Sequence, residues 1–305
     1  MPSAPANSWT QVATVDLEAI NSGLDPAIPT ADVALYYPNN LDPAHSAKVT
    51  PDLLVSGFVA AKDIFGVAGV QLKLLFFKTG PLDPSLFEVN STRGDGDVPS
   101  ARFTNMYAGA ERRPAKISME AQAAFETMVE DRPGSELIVH IVTLQDVYME
   151  FFEKLDYRTW QRKTISTGGL SFPGYMYGET MPRHLRGVIS ITDLTKSEDS
   201  WKTIAHELGH KLLNVSHEYR DVSPQHEVNA DGGLMLYGKG TEILPGADGR
   251  YHRERLHRSP YLYTEDTSGE RTYNPDYQAG GFYFDPIYEG VSVDLDAEAL
   301  AATAE

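Results

Sequence analysis

Apolar positions along the chain recur with two different periods, and their alternation sets out an order of strands and helices. Val33 to Tyr37 is a short apolar strand ended by Pro38-Asn39-Asn40. Between about Thr50 and Phe65, Leu53, Leu54, Phe58, Ala61 and Ile64 fall at helical spacing, and Pro51 suits a first turn. Val70 to Phe77 reads as a buried strand. Residues 79–115 carry several Pro and Gly and predict a long connection with one short strand near Arg102 to Tyr107. Ser118 to Glu130 is a helix stopped by Asp131-Arg132-Pro133-Gly134. Leu137 to Leu144 is a continuous, β-branched run of the kind that fills an interior strand. His140 within it reads as a satisfied core histidine. Asp146 to Leu155 is predicted as a further helix, and Gly187 to Thr192 as a strand shortly before the most informative helix of the chain.

Strands alternating with helices up to about residue 217 predict an α/β (α+β) fold built on a mixed central sheet. Residues 1–30, rich in Pro, Ala, Ser and Asn, form an irregular lead-in. The remainder, 218–305, has few periodic segments, many Tyr, Gly and Asp, and a short Ala-rich helix near Leu295 to Thr303. The whole is read as one domain, 1–305. Its N-terminal α/β subdomain (1–217) ends in a histidine-bearing helix and turn, and a smaller irregular C-terminal subdomain (218–305) follows.

That helix is Trp201-Lys-Thr-Ile-Ala-His206-Glu207-Leu-Gly-His210-Lys-Leu-Leu. At about 100° per residue, Trp201, Ile204, Ala205, Leu208 and Leu212 gather on one side, and His206 and His210 project from nearly the opposite one. Such a helix can press its apolar stripe on a sheet and offer two imidazoles to one ion. Asp199 or Ser200 is placed to cap its start. Neutral imidazoles ligate zinc and leave it strongly Lewis acidic, so that water there becomes far more acidic. Glu207 sits at an angle from which it reaches that water rather than the ion, which suits a general base.

A catalytic ion needs a third protein ligand. His217 is the best candidate, because Asn214 tolerates the left-handed conformation that would end the helix and turn the chain back. Glu218, Asp221, His226 and Glu227 are the rivals.

With these residues, the stretch resembles the metzincin clan of zinc metallopeptidases, whose signature is His-Glu-x-x-His-x-x-Gly-x-x-His followed by a methionine turn. Gly232-Gly233-Leu234-Met235-Leu236-Tyr237 is similar to that turn, in its Met-x-Tyr order most like the astacin and serralysin branches. Asn214 stands in the role of the signature glycine, and it and the third histidine each fall one residue late. The resemblance spans mainly residues 187–238. It implies His206, His210 and His217 as ligands of one Zn2+ and Glu207 as base. It also implies Met235 as an apolar support beneath the site and Tyr237 as a catalytic group near the metal. The strand Gly187 to Thr192 is its candidate for the edge that pairs with an extended peptide.

Composition narrows the partners. A net charge of −17 opposes phosphate backbones, so nucleic acid is not expected. The basic cluster from Arg250 to Arg258 also contains an acid and aromatics and reads as a solvated loop. No apolar run reaches the roughly 18 residues of a membrane span. Cysteine is absent, which excludes thiolate metal sites and cysteine nucleophiles. The N-terminus has neither a basic nor an apolar signal region, so a cytoplasmic location is the default, with export by another route left open. Asn214-Val215-Ser216 has the form of a glycosylation acceptor, but a glycan there would crowd the metal.

The reading that follows is zinc-dependent hydrolysis of peptide bonds, with a peptide or protein as substrate. The alternative is a zinc-binding but inactive, peptidase-like binding or structural protein. For the Tyr-rich tail (Tyr261, Tyr263, Tyr273, Tyr277 and beyond), a minor core is preferred to a cleft wall.

Overall fold

Thr30–Pro38 is buried along almost its whole length, as a central strand covered on both faces must be. It belongs to a computed structural model that describes residues 9–92, 116–154, 160–177, 181–215, 233–235, 240, 242–246 and 249–275. The strands are β1 (Thr10–Gln11), β2 (Thr30–Pro38), β3 (Gln71–Gly80), β4 (Glu88–Asn90) and β5 (Val139–Thr143), then β6 (Asp146–Lys154) and β7 (Trp160–Ser166). They continue with β8 (Gly169–Ser171), β9 (Val188–Ile191), β10 (Leu262–Glu265) and β11 (Arg271–Tyr273). Among the described residues, the helices longer than one turn are α1 (Pro51–Val67), α2 (Met119–Met128), α3 (Thr203–Leu213) and α4 (Arg250–Leu256).

The main sheet has the order β1-β3-β2-β5-β9-β8, with the β10–β11 hairpin attached to β2. Its centre, β3-β2-β5-β9, is parallel, while β1, β8 and β10 run antiparallel to their neighbours. This is the mixed sheet with helices that the alternation predicts. The two faces feed two cores. Val33, Leu35, Val139 and Ile141 pack with Phe58 of α1 and with Ile204, Leu208 and Leu212 of α3. Ala34, Tyr36 and Val142 pack with Phe125 and Met128 of α2. Each fully buried Leu, Ile or Phe contributes about 1.5–3 kcal/mol, so α3 is fixed to the sheet by its apolar stripe.

Two of the helix starts follow the sequence signals. Thr50 accepts from the Leu53 amide ahead of Pro51, and Ser118 accepts from the Ala121 amide. Four expectations are corrected. Residues 146–155 are not a helix: β6 runs antiparallel to β7, and the pair forms a small sheet with β4. Asp146-Val-Tyr-Met-Glu-Phe-Phe-Glu is dense in β-formers, and a hairpin partner decides such a segment. The Arg250–Arg258 cluster is largely helix α4 rather than a solvated loop, with Leu256 buried and the Arg255 Nε donating to the Leu213 carbonyl at 2.9 Å. A cation at the end of α3 complements the helix dipole. At the other end, neither Asp199 nor Ser200 caps α3. A 3-10 turn, Ser200–Lys202, precedes it, Ser200 Oγ accepts from the Ser197 amide, and Trp201 is exposed. Finally, β9 is interior, between β5 and β8, and among the described residues β8 is the edge strand on that side of the sheet.

The tail carries structural weight. Tyr263 donates to the buried Asp32 at 2.7 Å and Arg271 pairs with the same carboxylate at 2.6 Å, which staples the hairpin to β2. Tyr261 and Tyr263 are buried, as a minor core requires. The short strand near Arg102 to Tyr107, the helix near Leu295 to Thr303, and Tyr277 and beyond lie outside the described residues. Among the described residues, no helix is long and apolar enough to cross a membrane.

His140 is the core histidine expected of it. Its Nε2 donates to the Ser135 carbonyl at 2.9 Å, and its Nδ1 accepts from the Tyr36 hydroxyl at 3.2 Å. Burial pushes its pKa down from 6.5 to about 4. The unfolded chain therefore takes up a proton near pH 6.5 that the folded one refuses until about pH 4, and stability falls as pH drops through that window. A histidine held at about 4 corresponds to roughly 3 kcal/mol. Urea melts from pH 7.5 to 4 should show His140→Gln losing less stability than the wild type across this range. Parallel losses in the two proteins would remove His140 as the cause.

Candidate metal centre

The helix α3 ends where the sequence says it should. Asn214 is the one non-glycine residue of positive φ among those described, at φ 52° and ψ 55°, and it is fully buried. This left-handed residue turns the chain so that the Val215 carbonyl accepts from His210 Nδ1 at 2.7 Å. On the other flank, the Leu234 carbonyl accepts from His206 Nδ1 at 2.7 Å. A carbonyl only accepts, so each Nδ1 carries a proton, and the neutral form of each ring has its lone pair on Nε2. The rings stand edge to face with centroids 4.8 Å apart, His210 buried and His206 half-buried.

Leu234 and Met235 form a turn held by the Gly233–Glu242 bridge, where the Leu234 amide donates to the Glu242 carbonyl at 2.6 Å. Met235 is buried directly under α3. A Cβ added at Gly209 would run into the Met235 sulfur, so this glycine is what allows the turn to lie against the helix. The turn therefore supplies both the carbonyl that orients His206 and the apolar floor beneath α3.

Glu207 is 6% exposed and turned to the edge strand β8. Its Oε2 accepts from the Ser171 amide at 2.6 Å. A Cβ at Gly169 would come within 2.8 Å of the Glu207 side chain, so here too a missing side chain makes the room. One turn further along α3, Lys211 is buried, and its Nζ donates to the carbonyls of Phe172 at 2.5 Å and Arg186 at 2.7 Å. Burial pulls the ammonium down to about 7, while the Glu207 carboxylate works in the opposite direction. Sequence reasoning missed Gly169, Ser171 and Lys211. The Glu207–Lys211 spacing of four was a signal, but β8 is too short to register as a strand.

Among the described residues, no three His, Asp or Glu side chains form a group that could hold a metal ion. His217, Glu218, Asp221, His226 and Glu227, and with them every candidate third ligand, lie outside the described residues, as does Tyr237. Searched against protein-family models and curated proteins, the chain matches none.

Proposed function

We propose that the chain is a zinc-dependent peptidase in which His206, His210 and His217 hold one Zn2+, with Glu207 as general base. What carries this reading is the pair of Nδ1 hydrogen bonds to the Leu234 and Val215 carbonyls. Metal-binding histidines characteristically commit their second nitrogen in this way, which fixes the tautomer and the ring before the ion arrives. Imidazole donors fit zinc rather than magnesium or calcium, which prefer oxygen. Bound there, zinc would supply Lewis acidity and bring the acidity of water into the neutral range.

The chain's own groups supply the rest. Glu207 takes a proton from the attacking water and delivers it to the leaving amine. Its orientation is held by the Ser171 amide. Tyr237, two residues beyond Met235, is the proposed donor to the oxyanion that develops on the peptide carbonyl. An extended substrate would lie along β8, the edge strand that also touches Glu207, through main-chain hydrogen bonds.

A second reading has an observation of its own. Glu207 is tied to β8 and lies beside Lys211, which gives the carboxylate a structural use in an inactive zinc-binding protein. The decisive measurement is metal analysis of the purified chain followed by a generic protein digest. One zinc per chain is expected, with cleavage removed by a chelator and restored by added zinc. A chain that binds no zinc would end both readings, and zinc without cleavage would leave the second.

A further inference from the structure

We propose that Lys211 is a positioning residue that sets the orientation of Glu207 through the edge strand β8, an inference that rests on the reading of Glu207 as base. Glu207 and Lys211 are four residues apart on α3 and therefore share a face. They grip consecutive residues of one chain segment. Glu207 takes the amide proton of Ser171, and Lys211 donates to the carbonyl of Phe172. The second bond of the amine goes to the Arg186 carbonyl, which also accepts from the Tyr261 hydroxyl at 3.0 Å. The ammonium thus ties the end of β8 to the turn that leads into β9, and ties both to the helix that carries the histidines.

The need for such an anchor follows from the topology. β8 has three residues and, among the described residues, pairs with a single strand, β9. A short edge strand held on one side has little stability of its own. The Ser171 amide can orient Glu207 only if its own position is fixed. Nor is Lys211 explained by packing: it is 2% exposed, where an apolar side chain would avoid the cost of burying an ammonium. Two carbonyls and a carboxylate of opposite charge one turn away offset that cost. The histidines draw their orientation from other groups, Leu234 and Val215, so metal binding and base orientation are separable.

Lys211→Met, similar in length and without charge or donor, separates them in the full-length chain. Zinc content should stay at the wild-type level. Hydrogen exchange in a peptide spanning residues 168–173 should rise about tenfold or more as β8 opens locally. For a generic peptide substrate, kcat at saturation should fall by about tenfold or more, the sign of a misplaced base, while KM rises because the strand that opens is also the one proposed to hold the substrate. Should Lys211→Met not fold, Lys211→Gln keeps a neutral donor on a shorter stem, and exchange and kcat should move the same way by less, with zinc content again at the wild-type level. Wild-type exchange at β8 in either folded variant, or activity lost in step with zinc, would overturn the proposal. If the wild type cleaves no peptide, the peptidase reading fails, and the role proposed for Lys211 falls with it. Unchanged exchange in a variant of an active peptidase discards the role of Lys211 alone.

Discussion

Glu207→Gln should keep its zinc and lose peptide cleavage by about 10²–10⁴-fold, the usual contribution of a general base. The substitution is nearly isosteric. The glutamine side-chain oxygen can still accept from the Ser171 amide, which now holds Glu207 Oε2 at 2.6 Å, so the side chain keeps its place against β8. What it loses is the capacity to accept a proton. It also loses the charge that faces the buried Lys211 ammonium, and a drop of about 1–3 kcal/mol in unfolding free energy is expected alongside. Metal analysis, a thermal melt and turnover of one peptide, all on the same sample, separate the three effects. Undiminished turnover would dispose of Glu207 as the base.

The second large effect concerns the ligands. Alanine at His206 or His210 should weaken zinc binding by more than the roughly 10–100-fold that losing a mere orienting partner costs. His217→Ala should do the same, whereas Glu218→Ala and Glu227→Ala should retain metal. Asn214 turns the backbone at the end of α3, the Val215 carbonyl already lies against His210, and His217 follows two residues later in sequence. Zinc lost only in one of the glutamate variants would transfer the third ligand to that acid and refute the three-histidine set.

Elements with a long, regular signal were legible in the sequence. The helices Pro51–Val67 and Met119–Met128 carry both apolar periodicity and a capping hydroxyl, and α3 carries its stripe opposite the histidine pair. Asp146–Lys154 was not legible as a strand, because its apolar and polar residues fit either period until β7 pairs with it. The same holds for Arg250–Leu256, whose charged surface hides a buried Leu256.

At the site, local sequence determined what depends on local geometry: the spacing of His206 and His210, Glu207 between them, and an asparagine able to adopt the left-handed turn. These need only the helical repeat and the steric rules of one residue. The tertiary structure alone decided the rest. It brings the Leu234 carbonyl, 28 residues away, to His206. It lays Met235 against Gly209, and it makes β8 rather than β9 the strand beside Glu207. Such contacts are set by how the sheet is ordered and which segments close over it. A backbone carbonyl or amide looks the same at every position of a sequence, so only the folded chain can say which one a side chain meets.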